Sequence, residues 1–171
     1  MPPSSKPFDQ MNGSEAEDFF AWHLRELPSR LHNMGVILDF ELSYTPDSLA
    51  ELWEKLIGYH KRCFNRLHLL RGEREKFENL LCCAGLYLAE VFVKNNPEIS
   101  WACNTETQKG DYFYNKPVLI GFSDTSVSPP FCMVFEPYHM IHVQAVKIEQ
   151  ARIAKPNDLL ELYEKWCEHI R

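Results

Sequence analysis

The sequence predicts an α+β fold in which a small antiparallel sheet of about four strands is flanked by four to five helices. The chain has 171 residues and is 45% hydrophobic, which is enough to bury one core. Apolar residues recur at helical spacing in the first and last parts of the chain. Between residues 99 and 135, short apolar runs alternate with residues typical of turns, which favours antiparallel strands.

Residues 1–12 are expected to form a flexible tail, and residues 13–171 a single domain. The tail lacks the apolar segment of a secretory signal, and no run approaches the roughly 18 apolar residues of a membrane helix. The six cysteines have no framework spacing, so we expect a cytoplasmic protein. A first helix is predicted to begin at Ser14, which has capping-box spacing with Glu17, and to end or kink at Pro28.

The next elements are a strand and two helices. The clearest strand pattern covers residues 36–44, where apolar and polar residues alternate after a predicted turn at residues 33–35. A helix is then expected with Thr45 as its N-cap and Pro46 at its first position. A long and mostly buried helix is predicted over residues 73–94, because apolar residues cover most of its faces.

The second half of the chain is predicted to complete the sheet. Strands are expected near residues 99–104, 117–122 and 131–135. Residues 138–153 suit either a helix or a strand, and we favour a helix because of their apolar spacing. A C-terminal helix is expected to begin at residues 156–158.

One box of residues carries a resemblance. Gly85-Leu86-Tyr87-Leu88-Ala89-Glu90 lies in the predicted third helix, and a strand with Trp101 follows it. Upstream, residues 44–49 read Tyr-Thr-Pro-Asp-Ser-Leu. Over roughly residues 36–136 the chain resembles an uncharacterised group of small bacterial α+β domains. The resemblance implies an accessory or toxin-immunity protein rather than an enzyme.

Glu90 is the most informative single residue, because it is the only acidic or basic side chain between Leu80 and Val93. Burying an unpaired carboxylate is costly, so we expect Glu90 to be mostly buried and to accept a hydrogen bond. Trp101, Tyr87 or a basic side chain would be the donor. One interpretation is a satisfied core carboxylate. The alternative is a small enzyme or ligand-binding domain with a cleft at Tyr87, Glu90 and Trp101.

Catalytic and cofactor motifs are missing from the sequence. His139 and His142 have no further ligands at metal-site spacing, so no metal and no cofactor are expected. No sequence spacing supports a nucleophilic pair of Cys103 or Cys132 with His139, and cysteines in strands are commonly unreactive core residues. The Gly-x-Ser-x-Gly motif of serine hydrolases does not occur either. The net charge of −6 disfavours nucleic acid as a partner. The basic stretch at residues 60–76 is interpreted as a solvated helix end.

The loop at residues 106–116 is the best candidate for a recognition surface. It places three aromatic residues beside an acid, a composition typical of protein interfaces. The alternative is an edge strand whose aromatic residues cover the sheet. We expect a non-enzymatic, acidic binding protein that docks on another protein, such as a basic toxin or effector, in the manner of an immunity protein. The partner-binding residues are then Glu106, Asp111, Tyr112, Phe113 and Tyr114.

Overall fold

A computed structural model describes residues 2–64, 71–149 and 154–170 of the chain. Within these residues the fold is α+β, as predicted, with five α-helices and three strands where about four are expected. The helices are α1 (Gly13–Leu38), α2 (Ser48–Phe64), α3 (Arg71–Asn95), α4 (Pro137–Glu149) and α5 (Asp158–Cys167). The strands are β1 (Ser100–Cys103), β2 (Pro117–Asp124) and β3 (Phe131–Phe135).

Helix α1 is longer than its sequence predicts. A capping box opens it at Asn12, two residues before the predicted Ser14. The Asn12 side chain accepts a hydrogen bond from the Glu15 backbone N–H at 2.9 Å, and the Glu15 carboxylate accepts one from the Asn12 backbone N–H at 3.0 Å. Pro28 lies inside the helix rather than at its end, and the predicted turn at residues 33–35 is helical.

The prediction of a strand over residues 36–44 is wrong. Its first three residues form the last turn of α1, which ends at Asp39 in a left-handed conformation with φ of 50°. The remaining residues run irregularly toward α2. Leu38 is buried at the helical spacing, whereas Val36 and Ile37 are 69% and 57% exposed. Because these apolar side chains are exposed on a helix, the alternation of apolar and polar residues in the sequence does not correspond to the two faces of a strand.

Helices α2 and α3 lie near their predicted positions. Helix α2 begins at Ser48, three residues after the predicted N-cap Thr45, and the Ser48 backbone N–H donates to the Thr45 carbonyl at 3.1 Å. Helix α3 agrees with its prediction to within two residues at each end. The basic stretch at residues 60–76 lies partly outside the described residues, because residues 65–70 are not described.

Strand β2 is the centre of the sheet and is antiparallel to both neighbours. Trp101 of β1 lies opposite Leu119. The pairing of β2 with β3 is irregular between Leu119 and Phe122. Gly121 lies in this irregularity with φ of 110°, and a Cβ there would collide with the carbonyl oxygen of Glu98. Glycine therefore fits both the backbone conformation and the available space.

Aromatic rings join the sheet to the helices. Phe92 of α3 lies 5.4 Å from Phe122, 5.2 Å from Phe135 and 4.6 Å from Tyr163 between ring centroids. Trp166 of α5 meets Phe122 and Phe135 edge-on at 5.1 and 4.9 Å. The buried face of the sheet therefore packs between α3 and α5.

The ambiguous segment at residues 138–153 is helical as far as it is described, which confirms the helical interpretation. It forms α4, which packs on α3 and approaches it closely at Gly85. A Cβ on Gly85 would lie 2.6 Å from the carbonyl oxygen of Pro137. The C-terminal helix is also confirmed. None of the helices in the described part of the chain is long and apolar enough to span a membrane.

Candidate functional site

Tyr87 of the helix box ties α3 to the segment that precedes α2. Its side chain is fully buried. Its hydroxyl accepts a hydrogen bond from the Tyr44 backbone N–H at 2.9 Å and lies 2.8 Å from Ser48 Oγ. Ser48 Oγ in turn donates to the Thr45 carbonyl at 2.5 Å. Because Tyr44 has a left-handed φ of 56°, this network holds a backbone conformation that is unfavourable for tyrosine.

Glu90 and Trp101 are in direct contact. Trp101 Nε1 donates a hydrogen bond to Glu90 Oε1 at 2.9 Å, so the donor is Trp101, one of the three alternatives that the sequence leaves open. Both side chains are half-buried, so Glu90 is less enclosed than expected. The Tyr44 ring lies nearby, with the Lys94 ammonium 3.3 Å from its centroid. Burial and the Glu90 charge raise the pKa of Tyr44.

His23 also contacts the Trp101 ring, and it was not predicted as a site residue. It is 1% exposed, and its Nε2 has no hydrogen-bond partner. Its ring meets Trp101 at 5.6 Å and Tyr138 at 6.1 Å. Burial, assisted by the Arg30 charge, lowers the pKa of His23 to about 4. The available signal was its position four residues before the buried Leu27, in the apolar stripe of α1.

The connection between β1 and β2 is closed by backbone hydrogen bonds. The Asn115 N–H donates to the Asn104 carbonyl at 2.8 Å, and the Asn104 N–H donates to the Lys116 carbonyl at 3.0 Å. Within the loop, Asp111 Oδ1 accepts a hydrogen bond from the Phe113 backbone N–H at 2.7 Å. The loop consists of turns and an isolated bridge rather than an edge strand.

Asn115 fastens this loop to the N-terminal segment. It is 1% exposed and left-handed, with φ of 60°. Its Nδ2 donates to the carbonyls of Phe8 at 3.0 Å and Met11 at 2.9 Å. Met11 is buried, and the Phe8 ring meets Phe19 edge-on at 5.1 Å. The end of the segment expected to be a tail therefore contacts both α1 and the loop.

Tyr112 lies on the outer side of the loop and is 54% exposed. The Lys116 ammonium lies 3.3 Å from its ring centroid. Phe113 is perpendicular to it at 5.2 Å, and His139 of α4 lies at 5.1 Å. The predicted interface residues thus share one loop but differ in burial. Exposed are Glu106, Asp111 and Tyr112, and half-buried are Phe113 and Tyr114.

The two cysteines considered as alternative partners of His139 lie on different strands, β1 and β3. Cys103 lies opposite Pro117 and Cys132 opposite Ser123, at opposite ends of β2 and about 20 Å apart along it. Burial raises the pKa of the Cys103 thiol, which favours its unreactive protonated form. No group of three histidine, cysteine, aspartate or glutamate side chains in the described residues could hold a metal ion.

One family model matches the chain over residues 8–120, with the description "Uncharacterised protein YwmA". The matched region begins at the segment held by Asn115 and includes α1, α2, α3, β1, the Tyr112 loop and the first half of β2. No curated protein and no solved structure is similar enough to the chain to match it. The chain belongs to the family described as uncharacterised protein YwmA.

Proposed function

We propose that this protein is a non-enzymatic binding protein that docks on another protein through the loop between β1 and β2. The observation that carries the proposal is Tyr112. Its ring is more than half exposed, yet it is held by Lys116, Phe113 and His139. Exposed tyrosines are frequent energetic anchors of protein interfaces. A ring that is already positioned loses little conformational freedom when a partner binds.

The backbone under this ring supports the same interpretation. The hydrogen bond from Phe113 N–H to Asp111 Oδ1 fixes the turn that presents Tyr112. The two bonds from Asn115 Nδ2 fix the base of the loop. A loop with these bonds is pre-organised for docking, which favours affinity without additional contact area.

The negative charge of the protein favours a partner of opposite charge. Glu106 and Asp111 are exposed beside the aromatic residues, although Lys109 and Lys116 balance them within the loop. The chain as a whole carries a net charge of −6, which favours a basic partner through long-range attraction. The resemblance to accessory and immunity domains favours a toxin-neutralising immunity protein, whose partner would be a basic toxin or effector.

A photo-crosslinking amino acid at position 112 tests the proposal in the source cell. We expect one protein to be crosslinked from this position and not from Val127, an apolar position of similar exposure on the β2–β3 connection. With that partner purified, Tyr112→Ala should weaken binding by about 1 to 3 kcal/mol, mainly through faster dissociation. Asp111→Lys should slow association with a basic partner at low salt and should also weaken the complex, because it removes the hydrogen bond that fixes the turn below Tyr112.

Thermal melts of the variants are the control, because both effects require the fold to be intact. Val127→Ala is the matched variant and should leave binding unchanged. If the partner binds Tyr112→Ala, Tyr114→Ala and Asp111→Lys as tightly as the wild type, this loop is not the interface. Turnover of a small molecule that is lost in Glu90→Gln would instead favour the cleft at Glu90 and Trp101.

A further inference from the structure

A groove of about 490 Å³ lies between α1, α2 and α3 and has no lining residue from the Tyr112 loop. Helices α1 and α3 each line it with residues spaced i, i+4 and i+7, which form one continuous helix face. The residues used here are Arg30, Met34 and Ile37 of α1 and Lys76, Leu80 and Cys83 of α3. The volume falls in the range of small-molecule sites in proteins.

Arg30 is the polar group that distinguishes this groove from a packing defect. It is half-buried, and Nη1 donates a hydrogen bond to the Tyr138 hydroxyl at 3.1 Å. Its guanidinium also lies beside the Cys83 thiol. Among the described residues no carboxylate pairs with it. Burial raises the pKa of Tyr138 to about 12, so this partner remains a neutral phenol and leaves the Arg30 charge uncompensated.

The second cation at the groove is already paired. The Lys76 ammonium lies 2.7 Å from Glu73 Oε1. The groove therefore offers one uncompensated positive group, Arg30, together with apolar surface from Ile37 and the Tyr59 ring, whereas Met34 and Leu80, which also line it, are buried. A partly buried guanidinium is well suited to a carboxylate, because its planar donors can bind both oxygens.

We infer that this groove binds a small aliphatic carboxylate, with its carboxylate on Arg30 and its hydrocarbon chain along the accessible surface of Ile37 and Tyr59. The seven-residue spacing from Arg30 to Ile37 corresponds to about 10 Å along α1, which accommodates a chain of medium length. The exposed side chain of Ile37, 57% accessible, lies where such a chain would cover it. None of the residues that line the groove belongs to the proposed docking loop.

Octanoate is the probe, titrated calorimetrically into the full chain under reducing conditions. We expect saturable binding of one octanoate per chain. Hexanoate should bind roughly tenfold more weakly, because two fewer methylenes are buried. Octanol should bind at least tenfold more weakly than octanoate, because it lacks the charge that Arg30 recognises. Bound octanoate should also slow alkylation of Cys83 while leaving the exposed Cys132 unaffected.

Two matched pairs of variants locate the ligand. Arg30→Met should weaken octanoate binding at least tenfold, whereas Arg25→Met, an exposed arginine of the same helix, should not. Ile37→Glu should weaken it more than Ile37→Lys, since both remove the same apolar group and only the first repels a carboxylate. The Ile37 pair decides the matter if Arg30→Met does not fold. Equal affinity for octanol and octanoate, no saturable binding, or equal affinity in both Ile37 variants would overturn the inference.

Discussion

Trp101 Nε1 lies 2.9 Å from Glu90 Oε1, and this hydrogen bond joins strand β1 to helix α3. The same indole meets the ring of His23 from α1 at 5.6 Å. Three elements that are distant in sequence therefore converge on one side chain. Because Glu90 is half-buried, water screens the bond in part, and its contribution to stability is that of an ordinary charge-assisted hydrogen bond.

Substitution of Glu90 should separate the charge from the hydrogen bond. Glu90→Gln keeps an acceptor for Trp101 and should lower the free energy of unfolding by less than about 1 kcal/mol. Glu90→Leu removes the acceptor and should lower it by about 1 to 2 kcal/mol, because the indole N–H loses its partner. Urea denaturation followed by circular dichroism measures both. In a Trp101→Phe background the two substitutions should cost the same, and a difference that persists there would contradict the assignment.

Gly85 should tolerate no side chain, although alanine is the better helix former. A Cβ at this position would lie 2.6 Å from the Pro137 carbonyl oxygen, which belongs to the backbone and cannot move alone. Gly85→Ala should therefore lower the free energy of unfolding by about 1 to 3 kcal/mol through overpacking of α3 against α4.

Gly58 of α2 provides the matched control for this substitution. Its Cβ would meet only the end of the Arg62 side chain, at 3.5 Å. Gly58→Ala should raise stability by about 0.5 to 1 kcal/mol, because the unfolded chain loses freedom and no neighbour must move. Thermal and urea denaturation of both variants give the comparison. The same sign of change at both positions would show that helix propensity, and not the helix crossing, decides the outcome at Gly85.

Sequence patterns locate most of the helices and strands. Helix α5 has one apolar face and α3 is apolar around most of its circumference, and both lie near their predicted bounds. Strands β2 and β3 also lie near their predicted bounds, because turn-forming residues separate their short apolar runs. The strand over residues 36–44 failed because Val36 and Ile37 are apolar but exposed, so the alternation did not report burial. Pro28 failed as a helix end because α1 extends past it, with Leu27 and Leu31 buried on either side.

The part of the site that could be predicted from the sequence is the one in which a single polar residue needs a hydrogen-bond partner. A lone glutamate in an apolar helix requires a hydrogen-bond donor, and Trp101 was among the three candidate donors. The hydrogen bonds from Asn115 to the carbonyls of Phe8 and Met11 join residues more than a hundred positions apart, and no local sequence pattern predicts them. The groove at Arg30 also escaped prediction. Its two lining faces have the spacing of ordinary core stripes, and the sequence does not show where two packed helices leave a space between them.

His23 should make the stability of the protein depend on pH in the acidic range. Burial, assisted by the Arg30 charge, lowers its pKa to about 4, whereas an unfolded histidine titrates near 6.5. Below about pH 6.5 the unfolded chain takes up a proton that the folded chain refuses, so stability is complete above this pH and falls as the pH decreases toward 4. The loss from this residue should reach about 3 kcal/mol at pH 4, at about 1.4 kcal/mol per pH unit.

His23→Phe tests this assignment, because the ring is retained among Trp101 and Tyr138 while the titrating group is removed. At pH 7 the variant should be as stable as the wild type or more so, since the unpaired Nε2 no longer has to be buried. Between pH 6.5 and 4.5 its free energy of unfolding should fall less steeply, by about 1 kcal/mol per pH unit or more. Carboxylates that titrate in the same range contribute equally to both proteins, so the difference between the two curves isolates His23.

His32→Gln, at an exposed position of the same helix, should leave the wild-type slope unchanged. Parallel curves for wild type and His23→Phe would mean that His23 takes up a proton in the folded protein as readily as in the unfolded chain, in contact with a group that accepts a hydrogen bond from the charged ring.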